Sequence, residues 1–314
     1  MILQALLAAL LCAVPARDLL TATAANAPAP LATPVPYAGR ELVHPSVLHQ
    51  EGGWNGFPYW MAVTPYAGSD AALENPSLYC SLDGQTWTTP KGVTNPLVKK
   101  PAAPRRYNSD CHLALGPDRV LRLFYRAAGG DGNDTLYLIS SKDGASWSAP
   151  RVILDVPLAD ERQLSPAVLF DGTHWQMYYV DSSSYPYAIR RRASARPEGP
   201  WSEPSAVTGI APPAGRMLWH LDAFRHGDAT VLLVNTTEIY HTQEGGELFF
   251  AVAQDGAHFT RAAQPVLSGS DRWDRSLYRS CCVPLPGDRF AIWYSAWGPD
   301  LGWRLGCTEV TLAR

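Results

Sequence analysis

The sequence predicts an all-β fold, a single five-bladed β-propeller around a central funnel, and three observations predict it. A short turn motif recurs at near-constant spacing, runs of β-branched and aromatic residues precede each copy, and no stretch shows sustained helical periodicity. The copies are Ser81–Trp87, Ser141–Trp147, Pro197–Trp201 and Gln254–Phe259. Their closing aromatics at 87, 147, 201 and 259 stand 60, 54 and 58 residues apart. Asp-Gly supplies the positive φ of a tight hairpin turn, and the following Trp or Phe turns inward as the next strand begins. A repeated position implies a repeated structural task, so Trp87, Trp147 and Trp201 are assigned to blade packing.

The strand runs ahead of the motifs are Tyr59–Val63, Val120–Tyr125, Trp175–Val180 and Thr230–Val234, and a fifth, Phe290–Tyr294, has no motif copy after it. Each follows a shorter apolar strand bounded by Gly, Asp or Pro turns. Five units result, at about 43–91, 108–151, 163–205, 218–268 and 277–312. A ring of blades leaves only short, protected edges. The last unit lacks an outer strand, and residues 35–43 are expected to supply it.

Composition narrows the class. With 314 residues and 46% apolar content the chain can bury one large core. A net charge of −3 with scattered Lys and Arg provides no basic stripe, which argues against a nucleic-acid partner. The apolar run Ile2–Val14 is too short for a membrane span. With the small-residue sites Val14-Pro15-Ala16 and Ala25-Asn26-Ala27 after it, it reads as a signal peptide over residues 1–27. No Lys or Arg precedes that run, unlike the usual signal anatomy. Residues 28–36 read as an Ala/Pro-rich spacer and 37–314 as the propeller, so a secreted or periplasmic monomer is expected. Beyond Cys12 the chain has five cysteines, an odd set read mainly as buried small hydrophobes. No spacing resembles a metal-ligand cluster, and neither metal nor cofactor is assigned.

In a propeller the inner strands converge on the funnel with their first residues. Aligned by their apolar ends, these strands begin His44-Pro45-Ser46-Val47, Asp110-Cys111-His112-Leu113, Ser165-Pro166-Ala167-Val168, His220-Leu221-Asp222-Ala223 and Arg279-Ser280-Cys281-Cys282. Such a polar ring, different in every blade, has no structural reason to stand at a crowded axis, because unpaired buried charge is costly. The third strand of a blade runs parallel to the first, so Glu74 also faces the funnel, and Arg126 reaches toward it. Trp54, Trp219, Trp273, Trp297 and Trp303 lie outside the turn motif and are candidates to stack on sugar rings.

The Asp-Gly-x-x-Trp turns resemble shortened Asp-boxes of sialidase-type propellers. Ser194–Trp201, ending Glu-Gly-Pro-Trp, is similar to a blade-three hairpin of five-bladed glycoside hydrolases, and the strand starts at His44 and Asp110 resemble inner strands of family 43 and its relatives. The resemblance covers about residues 43–312. It implies glycosidic-bond hydrolysis by carboxylates on blades one, two and three. Asp110 matches the blade-two Asp, whereas His44 and Ser165 stand where the other two carboxylates belong. A glycosidase then needs Asp110 as base or nucleophile, Glu74 as acid and Asp222 as a second candidate for either role. The two carboxyls would stand about 5 Å apart for retention or about 6.5–9.5 Å for inversion. His44, His220 and Arg279, with Arg126, Trp54 and Trp219, would bind the carbohydrate. A propeller that binds glycans without cleaving them, or one that serves as an interaction module, is the alternative, since the fold hosts many functions.

Overall fold

A computed structural model describes residues 14–35, 40–103, 105–130, 132–241 and 243–312. Among the described residues nineteen strands form five antiparallel sheets around one axis. Blade one is β1 (Leu42–Trp54), β2 (Phe57–Pro65) and β3 (Ser77–Ser81); blade two is β4 (Tyr107–Leu115), β5 (Leu121–Ala128), β6 (Asn133–Ser141) and β7 (Arg151–Pro157). Blade three is β8 (Gln163–Phe170), β9 (Trp175–Asp181), β10 (Ala188–Ser194) and β11 (Ser205–Ala206). Blade four is β12 (Arg216–His226), β13 (Ala229–Glu238), β14 (Glu247–Ala253), β15 (Thr260–Arg261) and β16 (Leu267–Ser268), and blade five is β17 (Ser276–Leu285), β18 (Arg289–Gly298) and β19 (Gly302–Thr311). These limits follow the five units expected from the turn spacing.

Apolar residues collect in five clusters, one for each contact between successive blades. Leu78, Leu113 and Leu123 lie between blades one and two, and Phe124, Val168 and Met177 between two and three. Leu169, Leu221 and Leu232 join three to four, and Leu233, Phe250 and Ile292 join four to five. Met61, Val283 and Trp293 close five onto one. Sheet faces bury against neighbouring sheets rather than in a common centre, so the axis is left to the polar strand starts.

The repeated turns stitch these contacts. Asp83 Oδ1 accepts from the backbone N–H of Gln85 and Thr86 at 2.8 and 2.7 Å, and Ser81 Oγ from that of Gly84 at 2.9 Å. Asp143 repeats the pattern with Ala145 and Ser146, and Asp255 with Ala257 and His258. Gly84, held at φ 73°, lies against Trp293 of blade five, which donates from Nε1 to its carbonyl at 3.0 Å. Gly144 lies against Trp60 of blade one, and Gly256 against Tyr178 of blade three.

Two expectations at the chain start change. Residues 14–31 pack on blades four and five: Val14, Leu19 and Ala27 are buried in that cluster, Ala24 N–H donates to Val266 O, and Leu31 N–H donates to Leu305 O. The Ala/Pro segment is thus seated on the propeller as far as it is described, because its small side chains fit beside Trp273 and Tyr294. Beside β19, Leu31 N–H donates to Leu305 O and Thr308 Oγ1 to Ala25 O, while Glu41 meets it through the Trp303 N–H. Blade five stays three-stranded: the described residues 35, 40 and 41 add no strand to it, and residues 36–39 lie outside the described set. The apolar run Ile2–Val14 falls outside it except at Val14. Among the described residues no helix is long and apolar enough to cross a membrane. Cys80, Cys111, Cys281 and Cys282 are buried and Cys307 half-buried, all as free thiols.

Candidate active site

Each inner strand breaks its pairing register near its start: at Val43/Ser46, Ser109/His112, Leu164/Ala167, Leu218/His220 and Leu277/Ser280. A bulge lets one extra residue turn toward the axis. In blades one to three that residue is His44, Asp110 or Ser165, with φ of 58, 51 and 55°. Left-handed backbone at a non-glycine residue is strained and concentrates at ligand and catalytic sites.

Asp110 is the centre of the resulting ring. Its Oδ2 accepts from Arg126 Nη1 at 3.0 Å, while around Oδ1 stand Ser165 Oγ at 3.3, Arg279 Nη1 at 3.5, His220 Nδ1 at 3.6 and His44 Nε2 at 3.8 Å. Arg126 also reaches Asp134 through Nε at 2.8 and 2.9 Å, and Asp134 accepts from Gln163 N–H. Two guanidinium groups and two carboxylates therefore balance in charge, which buried ions require. Burial alone would raise the Asp110 pKa, but His44, Arg126 and Arg279 outweigh it and hold the carboxyl well below the usual range. Burial pushes Glu74 well above its ordinary value, against the hydrogen bond from Ser109 Oγ.

Both ring histidines are neutral at pH 7: burial brings His44 down to about 4, against the attraction of Asp110, and holds His220 well below its ordinary value. Their hydrogen bonds set the tautomers. Thr64 donates its hydroxyl to Val43 O, so its oxygen receives His44 Nδ1–H at 2.9 Å. Ser165 donates to Asp110 Oδ1, so its oxygen receives His220 Nδ1–H. Nε2 of each ring is left with a free lone pair and no hydrogen-bond partner. One donor atom from each of His44, Asp110 and His220 lies within 4.8 Å of the others. Two neutral imidazoles and one ionised carboxylate suit a divalent transition metal, and the unpartnered buried Nε2 atoms fit such an occupant. No sequence spacing revealed this set, because its members come from three blades.

The structure brings together Asp110, Glu74, His44, Arg126, His220 and Arg279 as expected, with Trp219 beside His220 at a ring-centroid distance of 5.5 Å. Two candidates are corrected. Asp222 lies one layer further along the axis, where it accepts from Cys282 N–H at 3.1 Å and stands 3.5 Å from His112 Nδ1. Strand alternation places a residue two positions beyond His220 deeper in the channel. There it faces a cavity of about 640 Å³ at the opposite end, lined by His112, Val168, Phe224 and Pro284 among others. Trp54 is buried between blades one and two, edge-on to Trp60, with Nε1 donating to Arg119 O. It ends β1 at the strand's far end, away from the ring.

Asp134, Ser109, Thr64 and Tyr278 were missed. Tyr278 packs over both histidines, 4.2 Å from His220 and 5.5 Å from His44 between ring centroids. A signal for Asp134 exists: it precedes Ser141 by the same seven residues that separate Glu74 from Ser81, the matching position in blade one.

No family model matches the chain. A curated relative, the A type blood N-acetyl-alpha-D-galactosamine deacetylase of Flavonifractor plautii, is 26% identical over 319 residues. The match covers 84% of this chain and 41% of that protein, so the chain spans about two fifths of its length. The crystal structure of an N-acetylgalactosamine deacetylase from F. plautii in complex with blood group B trisaccharide superposes with a TM-score of 0.80 at 22% identity, covering 90% of this chain and 94% of that one. An alpha-L-arabinofuranosidase from Podospora anserina in complex with cellotriose gives 0.68 at 14% identity, over 94% and 98%. The chain has their five-bladed propeller fold. The resemblance to five-bladed glycoside hydrolases thus holds for the architecture, and a deacetylase shares it.

Proposed function

We propose that this propeller is a carbohydrate-active hydrolase that removes an acetyl group from an N-acetylated sugar, with a divalent cation held by His44, Asp110 and His220. The carrying observation is the cluster of His44, Asp110 and His220, one ligand atom of each within 4.8 Å of the others, with both imidazole Nε2 atoms buried and without a hydrogen-bond partner. The name of the curated relative supports the same reaction. A bound cation would supply a Lewis acid for the acetamide carbonyl and acidify a water. The chain's own residues do the rest: Thr64 and Ser165 hold the imidazole tautomers, Arg126 and Arg279 keep Asp110 ionised, and Glu74 carries a proton for the departing nitrogen. Water adds to the carbonyl carbon, the C–N bond breaks, and acetate and a free amine leave.

A glycosidase reading keeps one specific support. Burial raises the Glu74 pKa while the charges around Asp110 lower that of its neighbour, and a pair of carboxyls with pKa values driven apart is the acid–base signature of glycoside hydrolysis. Against it, Asp110 is tied to two arginines and Asp222 is out of reach.

The test is product analysis on N-acetylgalactosamine- and N-acetylglucosamine-containing oligosaccharides and on aryl glycosides, with and without a chelator. Acetate release that stops with chelator and returns with added divalent metal is expected. Release of aglycone or shortened sugars, insensitive to chelator, would overturn the deacetylase reading in favour of the glycosidase.

A further inference from the structure

We infer that four aromatic rings on blades three and four, Tyr185, Tyr187, Trp219 and Tyr240, form a platform for the sugar residues next to the one that reacts, so that the site is built for an oligosaccharide. The inference rests on the carbohydrate reading above and adds the size and direction of the substrate.

The rings form a continuous ladder from the buried centre to the surface. Trp219 lies against His220, Tyr187 stacks on Trp219 with centroids 6.2 Å apart and planes at 29°, and Tyr185 stands 6.0 Å from both Tyr187 and Tyr240. Tyr185 and Tyr240 are 49 and 69% exposed, two of the few large apolar side chains left in water among the described residues. Tyr240 is not a loose surface ring. Its backbone is left-handed at φ 62°, and the turn around it is closed by Thr237, whose hydroxyl meets the carbonyls of His241 and Glu244 at 2.8 Å each. A strained backbone that holds an aromatic ring out in solvent calls for a ligand to explain it.

Access to the ring dictates direction. His44, Glu74, Asp110, His220 and Arg279 are at most 5% exposed, so only a small group reaches them, and the remainder of a larger molecule must lie outside the mouth. Over blades five and one the mouth is roofed: Trp303 packs on Tyr278 and Tyr66 and donates from Nε1 to Ser69, which also meets Gln243. On the side of blades three and four the ring is bordered by Trp219, from which the aromatic ladder runs outward. Aromatic faces at successive depths offer apolar platforms for successive pyranose rings while ring hydroxyls stay in water.

The experiment titrates the full chain, by calorimetry and saturation-transfer NMR, with N-acetylgalactosamine and N-acetylglucosamine and with tetrasaccharides carrying each at the non-reducing end. At least one tetrasaccharide is expected to bind tenfold or more tightly than its monosaccharide, with saturation transfer into its second and third residues. Y185A/Y240A should remove most of that ratio, and Y185F/Y240F should keep it, because the ring faces and not the hydroxyls do the work. Equal affinities within both pairs, or a ratio that survives Y185A/Y240A, would overturn the platform, as would blocking of these rings by a peptide but by no glycan. Acetate release without a length advantage sinks this inference and leaves the proposed chemistry standing. A length advantage without acetate release does the reverse.

Discussion

At His44, Asp110 and Ser165 the backbone is left-handed, a conformation that costs a non-glycine residue on the order of 1 kcal/mol or more. These side chains nevertheless occupy three successive blades at the bulge that faces the axis. Ser165→Gly would relieve the strain and remove the hydroxyl that orients His220. The expected outcome is unchanged or higher thermal stability with a 10- to 100-fold loss of metal affinity or acetate release, the usual scale for an orienting partner. Full activity in S165G would remove the positioning role. Glu74 gives a pH test. Its folded pKa is raised, so the unfolded chain ionises first, and the stability it contributes is lost as pH rises from about 4.5 through the folded value. Glu74→Gln keeps an acceptor for Ser109 and does not ionise. Its melting temperature relative to the parent should therefore rise as the pH increases above about 4.5, and its activity should be lower. The histidines act in the opposite sense. His44 and His112, brought down by burial to about 4 and about 3, must stay neutral, so their contribution is complete above pH 6.5 and fades as pH falls toward 4. Replacing His112 by Gln should flatten the melting curve's acid slope over that window.

At the scale of strands and turns, the Asp-Gly hairpin joins one blade to the next. A Cβ on Gly144 would stand 2.3 Å from Trp60 Cη2 at a φ of 76°, where neither the backbone nor the indole can give way cheaply. Gly172 has φ 104° but open space around it. Gly144→Ala is expected to cost about 2–4 kcal/mol and Gly172→Ala about 1 kcal/mol, since only the first adds overpacking to conformational strain. Urea denaturation of both variants checks the difference, and equal losses would mean that the turn does not brace the blade contact.

For the whole molecule, the open question is how the ring is held shut. β17 and β18 pack beside β1 and β2 through Val283, Trp293, Val47 and Met61, so closure uses the same sheet-face burial as the other four contacts. Residues 14–31 add a strap across blades four and five: Asn26 Nδ2 donates to Ser268 O and Asp274 Oδ2, Tyr294 donates to Asp274, and Trp273 Nε1 donates to Ala27 O. Export with cleavage after Ala27 would strip this strap away. Of the two small-residue sites, cleavage at Val14-Pro15-Ala16 would leave nearly all of it in place. A chain shortened to begin at Pro28 should melt several degrees lower, because it loses the buried Leu19 and exposes Trp273. An unchanged melting point would show the strap to be dispensable.

Strand identity, blade number and the start of each inner strand were legible in the sequence because they depend on local chemistry: Asp-Gly turns, β-branched runs and a repeat near sixty residues. That register placed His44, Asp110, His220 and Arg279 at the axis, and with the parallel third strand it placed Glu74 there. It misplaced Asp222, because a strand start does not say how deep its second polar residue sits, and Trp54, because an indole reads alike in a funnel and between two blades. Only the tertiary structure decided which atoms meet. The two free Nε2 lone pairs arise from Thr64 and Ser165, one on the second strand of blade one and the other in the blade beside His220. Hydrogen-bond direction and the distance between blades are set by how five sheets close around an axis, and no single stretch of chain encodes that closure.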